Sequence, residues 1–153
     1  MDYPQLKLES QLCFPLYALS RLVTREYQPH FDALGITYPQ YLVLLVLWEE
    51  EEGMPVVEIA DRLLLGTNTV TPLLKRMEKE KLIRRHRSKR DERKVVVSLT
   101  PQGRELREQA AAIPLALGEK LMQGPLTTDE LATLQRQLKA LVEFLGGEKD
   151  NEK

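Results

Sequence analysis

Apolar residues recur at helical spacing at both ends of this chain. Leu12, Leu16, Leu19 and Val23 step by four, three and four, and Tyr27 and Phe31 extend the stripe. Near the other end Leu131, Leu134, Leu138, Leu141 and Leu145 step by three, four, three and four. Such spacing lines one face of a helix with apolar groups, and the second run is a heptad seam. Only two stretches read as strands, 82–87 (LIRRHR) and 94–99 (KVVVSL), with polar residues 88–93 as the turn of a hairpin. The pattern predicts a mainly α fold with a small β-hairpin wing. The leucine stripes at the two ends each ask for a partner helix.

Between the stripes the spacing predicts further elements. A first helix runs from about residue 6 to 33, with Pro15 bending it and Gly35 stopping it. Thr37 caps the next helix, with Pro39 in its first turn. The segment YLVLLVLW, residues 41–48, is apolar on every side and reads as a buried helix. The acidic run at 49–52 is a solvated loop before Gly53. A short helix over 56–64, a turn at Leu65–Gly66, and a helix capped by Thr67 and reaching about Lys81 come next; Pro72 is an irregularity inside it. Beyond Thr100–Pro101 a helix carries Leu106, Ala110, Ile113, Leu117 and Leu121 on one face, kinked at Pro114. Thr127 and Glu130 form a capping box for the last helix, and the charged tail GGEKDNEK is frayed. We expect one domain over 1–153, with 6–36 and 101–146 as dimerisation helices and 37–100 as a winged helix-turn-helix region.

The charge total conceals a local excess. The 22 basic and 23 acidic residues leave a net charge of −1. Residues 75–94 alone hold eleven Lys/Arg and four acids, a net of +7, which leaves −8 for the rest. A globally basic nucleic-acid binder is excluded, but a locally basic one is not. One cysteine, Cys13, rules out an internal disulfide and any CxxC motif. Two histidines, His30 and His86, are too few for a Cys/His zinc site, and no cofactor-binding motif is evident. The N-terminus lacks a signal-peptide pattern. The longest apolar run, eight residues, is far too short to span a membrane. A reducing cytoplasm is the expected location.

A short helix, a glycine turn, a second helix and a basic hairpin form a winged helix-turn-helix. Thr67, Asn68, Thr69 and Thr71 begin the second helix, where short hydroxyls and amides can meet base edges or phosphates. Lys75 and Arg76 lie one turn on and suit phosphate contact. Arg87, Lys89, Arg90 and Arg93 surround the hairpin tip, and such a wing fits a narrow minor groove. No aromatic residue lies within 75–94, so stacking on single strands is disfavoured. The expected partner is double-stranded DNA.

Leu82-Ile83-Arg84-Arg85, Asp91-Glu92-Arg93 and Ser98-Leu99-Thr100-Pro101-Gln102-Gly103 resemble the wing and strand exit of MarR-family regulators. The likeness runs over roughly residues 10–145. It implies a homodimer built from the N- and C-terminal helices on a pseudo-palindromic operator, with Asp91 orienting the wing and Arg93 entering the minor groove. Residues 11–21 (QLCFPLYALSR), Tyr27 and residues 36–41 (ITYPQY) further resemble the organic-hydroperoxide-sensing branch, OhrR, of that family. Members carry a reactive cysteine followed by tyrosines at offsets matched here by Tyr17, Tyr27 and Tyr38. The resemblance implies a repressor, not an enzyme, that leaves operator DNA once an organic hydroperoxide oxidises Cys13.

Helical rise places Tyr27 roughly 21 Å along the same helix from Cys13, so only an antiparallel partner helix can bring the two together. Tyr41 and Tyr3 read as aromatic core. With no second cysteine, the sulfenic acid must meet a small external thiol, giving a mixed disulfide, or a backbone nitrogen, or over-oxidise. Two other readings stand beside this one. In the first, a phenolic or other small ligand in the dimer crevice releases the repressor and Cys13 is structural. In the second, Cys13 serves a thiol peroxidase, which leaves the basic wing unexplained.

Overall fold

The computed structural model describes residues 3–50, 52–88 and 91–147. Two single 3-10 turns, Pro4–Leu6 and Leu8–Ser10, lead into α1 (Cys13–Leu34) and α2 (Tyr38–Trp48). Then come β1 (Met54–Pro55), α3 (Val56–Arg62), α4 (Thr67–Lys79), β2 (Ile83–Arg87) and β3 (Val95–Leu99). The helices α5 (Pro101–Ala110), α6 (Ala112–Met122) and α7 (Thr128–Gly147) complete the chain. Helices dominate and the strands form one antiparallel sheet in the order β1-β3-β2, the fold class expected.

The apolar segment is a helix, and it is the axis of the core. Val43, Leu44 and Leu47 of α2 are buried against Phe31 of α1, Val70, Leu74 and Met77 of α4, Val97 of β3 and Leu106 of α5. Its start is the predicted cap with a reciprocal arm. The Thr37 hydroxyl accepts from the Gln40 N–H while the Gln40 amide oxygen accepts from the Thr37 N–H, a capping box. Gly35 ends α1 in the left-handed region (φ 66), and the Ile36 N–H returns to the Phe31 carbonyl.

Four details depart from the spacing argument, each for a local reason. Helix α1 begins at Cys13, so Pro15 lies in its first turn, where the missing N–H has no intrahelical partner to lose. The proline inside α1 is Pro29, on an exposed face. Pro114 divides the long helix instead of bending it: α5 ends at Ala110, the residue whose carbonyl Pro114 cannot bond. The cap of α4 is Gly66, not Thr67, and the preceding turn is made by Leu64 at φ 54. Tyr3 is half exposed, not core, whereas Tyr41 is buried as expected. Of the tail GGEKDNEK expected to fray, Gly146 and Gly147 are the last residues of α7, and the rest lies outside the described residues.

A third strand also escapes the spacing argument. Met54 pairs with Val97 and Pro55 with Val96, two residues being too few for a period to register. Gly53 makes the approach: its φ is +91, and a methyl there would lie 2.5 Å from the Val97 carbonyl oxygen.

One joint ties the base of the wing to the body. The Thr100 hydroxyl accepts from the Gly103 N–H at 3.1 Å, capping α5, and donates to the carbonyls of Lys81 and Leu82. The Thr100 N–H bonds the Leu82 carbonyl as well. A methyl on Gly103 would stand 2.1 Å from that same oxygen. The Gly103 carbonyl, in turn, accepts the Trp48 indole N–H at 2.9 Å.

Glu78 of α4 braces β2. One carboxylate oxygen accepts the Arg85 backbone N–H at 3.0 Å and the other accepts the Arg85 guanidinium at 2.9 Å. These bonds hold the Glu78 carboxyl below its usual pKa.

The outer helices carry apolar groups outward. Leu12, Phe14, Leu16 and Leu19 of the N-terminal stretch, Leu115 and Met122 of α6, and Phe144 and Leu145 of α7 are exposed. No residue of α7 is buried at all, although the Thr127–Glu130 capping box starts it as predicted. These helices match the segments expected to pair with a second copy.

Gly103→Ala should lower the unfolding free energy by about 2 kcal/mol or more, the scale of overpacking a closed site, and Gly53→Ala by at least as much. Urea denaturation measures both, with Gly118→Ala as control because nothing lies within 4 Å of its added methyl. Equal midpoints for the three variants would refute the close approaches. The Glu78 brace has its own signature. A depressed folded-state pKa gives stability that is present above the ordinary carboxylate value of 4.5 and lost as pH falls below it. The Arg85 amide resonance should therefore titrate with a midpoint under 4.5, and Glu78→Gln should abolish that titration.

Candidate functional site

The basic region folds into one reading surface. Gly66 caps α4 with no side-chain hydrogen bond, and the Thr69 and Val70 N–H groups turn back to its carbonyl. An uncapped helix N-terminus is suited to an anion such as phosphate. Thr67, Asn68 and Thr69 are exposed there, and Thr71 is half-buried with its hydroxyl donated to the Thr67 carbonyl at 2.7 Å. Pro72 leaves the Asn68 carbonyl without its helical donor. Lys75 and Arg76 are exposed farther along α4.

The wing stands beside this helix end. A cleft of about 450 Å³ separates them, bordered by Thr67 and Thr71 on one side and by Arg93, Lys94 and Val95 on the other. Of the predicted residues, Thr67, Thr71 and Arg93 thus frame one opening, while Asn68 and Thr69 lie outside its lining. Asp91 closes the tip: its carboxylate accepts the Arg93 N–H at 3.1 Å, its carbonyl accepts the Lys94 N–H, and its own N–H reaches the Ser88 hydroxyl. Arg93 is therefore presented by a locked turn. Arg87 donates across the hairpin to the Glu92 carbonyl at 3.2 Å. Lys89 and Arg90 lie outside the described residues. Arg85, counted in the basic excess, also lines this cleft, with its guanidinium paired to Glu78 at 2.9 Å. His86 is exposed on the same strand.

The four residues expected at a thiol site lie in two groups. Cys13 is the first residue of α1 and is exposed. Tyr17 lies one turn on, 61% exposed, with the Arg21 guanidinium 5.5 Å above its ring. Tyr27 and Tyr38 make the other group, stacked with ring centroids 5.9 Å apart. They belong to an aromatic cluster in which Phe31 lies 5.4 Å from Tyr27 and 5.2 Å from Tyr41, and Tyr41 meets the edge of Trp48. Burial raises the pKa of Tyr27, with Tyr38 adding to it, and burial likewise raises that of Tyr41. Both phenols keep their protons through the neutral range. Both groups lie on or against one continuous helix. They are separated along it by roughly fourteen residues' rise, about 21 Å. Beside Tyr27, Glu26 of α1 pairs with Lys120 of α6, which holds the Glu26 carboxyl below its usual pKa.

Sequence reasoning missed the residues that hold these surfaces in place. Gln40 is visible as the third residue of the α2 capping box, but its second bond, to Glu80, spans forty positions. The Glu78–Arg85 brace and the Trp48–Gly103 bond have no spacing signal at all. Among the described residues no His/Cys/Asp/Glu group is arranged to hold a metal, and no single helix is long and apolar enough to cross a membrane.

The SarA/Rot family of transcriptional regulators matches residues 25–110. The chain is 47% identical over 144 residues to the organic hydroperoxide resistance transcriptional regulator of Bacillus subtilis, which covers 94% of this chain and 95% of that one. It is 40% identical over 135 residues to the HTH-type transcriptional regulator MgrA of Staphylococcus aureus, covering 88% and 89% of the two chains. Among solved structures, AbfR of Staphylococcus epidermidis superposes with a TM-score of 0.73 at 35% identity, over 92% of this chain and 95% of its own. AbfR has been solved on DNA in its reduced and overoxidized forms. At such identity along nearly its whole length, the chain belongs to the MarR-type transcriptional regulators, in the branch of the organic hydroperoxide resistance regulators.

Proposed function

We propose that this chain is a peroxide-responsive repressor: it binds duplex operator DNA as a homodimer and lets go when Cys13 is oxidised. The observation that carries this reading is the divided thiol site. An exposed cysteine at one end of α1 and a donor pair, Tyr27 and Tyr38, at the other are complementary halves. The exposed stripe of Leu12, Leu16 and Leu19 between them needs covering. Two antiparallel copies of α1 bury the stripe and join each thiol to its partner's tyrosines, with Tyr17 alongside.

That pairing sets the chemistry. Phenol hydroxyls donate to the Cys13 thiolate, which attacks the terminal oxygen of an organic hydroperoxide. A sulfur–oxygen bond forms, the O–O bond breaks, and the alkoxide leaves and takes a proton to become an alcohol. Sulfur loses two electrons and is left as a sulfenic acid. Apolar Leu12, Phe14 and Leu16 favour an organic peroxide over hydrogen peroxide. The sulfenic acid then condenses with a small external thiol to a mixed disulfide or with a backbone nitrogen to a sulfenamide, each with loss of water, or is over-oxidised by further peroxide.

Residues 6–36 and 101–146 serve as dimerisation helices and 37–100 as the reading region, within one domain in the cytoplasm. The reading heads meet half-sites about 34 Å apart on a pseudo-palindromic duplex, so a small change in their separation weakens both contacts. Thr67, Asn68, Thr69 and Thr71 enter the major groove, Lys75 and Arg76 meet phosphates, and Arg93, set by Asp91, enters the minor groove.

Cys13→Ser is expected to bind duplex DNA as the reduced wild type does and to stay bound under organic peroxide, measured by fluorescence anisotropy. Peroxide-driven release of that variant would falsify the sensing role. Arg93→Ala should weaken operator binding about tenfold or more. Lys75→Ala should lower the slope of log affinity against log salt by about 0.9, alike for all sequences. Unchanged affinity and slope in both variants would sink the assigned docking.

A further inference from the structure

One buried polar contact is used by neither the thiol chemistry nor the DNA surface. Gln40 is only 2% exposed. Its amide is engaged at both ends: the oxygen accepts the Thr37 N–H at 2.8 Å, and the nitrogen donates to a Glu80 carboxylate oxygen at 2.6 Å. Thr37 directly precedes Tyr38, the ring stacked on Tyr27. Glu80 is the C-terminal cap of α4, the helix whose start faces the wing cleft. The contact therefore joins the tyrosine end of α2 to the exit of the reading helix.

The chain beyond Glu80 is stiff. Lys81 takes φ 62, and Leu82 returns its N–H to the Met77 carbonyl. The Leu82 carbonyl is held by Thr100 at the base of the wing, and Glu78, two residues before Glu80, holds Arg85 in β2. A path of hydrogen bonds and short backbone links thus runs from Thr37, next to Tyr38, through Gln40 and Glu80 to the base of the wing.

We propose that the Gln40–Glu80 bond is a strut that transmits the state of the tyrosine pair to the DNA-reading surface. A bond to a charged acceptor is strong, and a buried amide that loses a partner keeps the full cost of its desolvation. When the tyrosine end of α2 shifts, Glu80 moves with it, and so do the end of α4 and the wing base. Glu80 is a positioning residue in this scheme; it touches neither sulfur nor DNA. The proposal rests on the sensing role given to Cys13.

Glu80 is exposed, so Glu80→Gln keeps an acceptor for the buried Gln40 amide, whereas Glu80→Ala leaves that amide nitrogen without its partner. Glu80→Ala and Glu80→Gln are compared with wild type on a pseudo-palindromic duplex selected by the reduced wild-type protein. Affinity is measured before and after stoichiometric tert-butyl hydroperoxide, with Cys13 oxidation tracked by mass spectrometry. Couplings between sites typically span about 5–150-fold. In Glu80→Ala, Cys13 should oxidise at the wild-type rate, while the loss of affinity on oxidation shrinks at least about fivefold. Glu80→Gln, whose amide oxygen still accepts from Gln40, should restore the wild-type ratio. A merely structural role would weaken both redox forms equally and leave the ratio unchanged; that result overturns the strut. Wild-type protein that oxidises yet stays bound overturns the sensing reading itself, a separate outcome.

Discussion

The Leu82 carbonyl oxygen organises this molecule. It accepts the Thr100 N–H and hydroxyl, and it lies where only a glycine, Gly103, can pass. At that point the exit of α4, the return of β3 and the start of α5 are drawn into one place. Trp48 adds the end of α2 through the Gly103 carbonyl. Each bond is modest alone, about 1 kcal/mol net for a neutral pair. Their convergence in a closed site gives the wing a fixed direction relative to the helical body. A hairpin of two five-residue strands is marginal by itself in water, so its orientation has to come from such a joint.

The second organising fact is the division of surface. Positive charge is concentrated on α4 and the wing, whereas most of the exposed large apolar groups belong to the N-terminal stretch, α1, α6 and α7, with Val57, Leu64, Leu65 and Val95 exposed near the basic region. A protein with both on one face would trap counterions against grease and lose the use of each. Here the apolar end is left for a protein partner and the basic end for a polyanion. The aromatic cluster of Tyr27, Phe31, Tyr38 and Tyr41 sits between them, at the turn from α1 into α2.

Much of this is legible in the amino-acid order, for reasons that differ by element. The buried α2, the Thr37 and Thr127 caps and the Gly35 stop obey local rules, which act over three or four residues. The wing is legible because its two strands are the only β-patterned runs. The cap of α4 is not, because Thr67 and Gly66 are adjacent and both permitted there; the choice of Gly66 leaves the helix start without a side-chain hydrogen bond. Strand β1 and the bonds of Gln40, Glu78 and Trp48 are not legible either, since each depends on residues brought together by folding. Of the site, the resemblance supplies Cys13 with its three tyrosines. The structure contributes the grouping, Tyr27 with Tyr38 and Cys13 with Tyr17.

The brace on β2 has a consequence for how the protein keeps company in a crowded cell. A protruding two-stranded ribbon exposes the unpaired rim of its outer strand, and such rims recruit other strands into aggregates. In β2 the outward N–H at Arg85 is already taken by Glu78, which lies across the rim from α4. Arg84, His86 and Arg87 add exposed polar side chains along the same strand. The ribbon can project far enough to grip another molecule while offering no continuous ladder for a second ribbon to join.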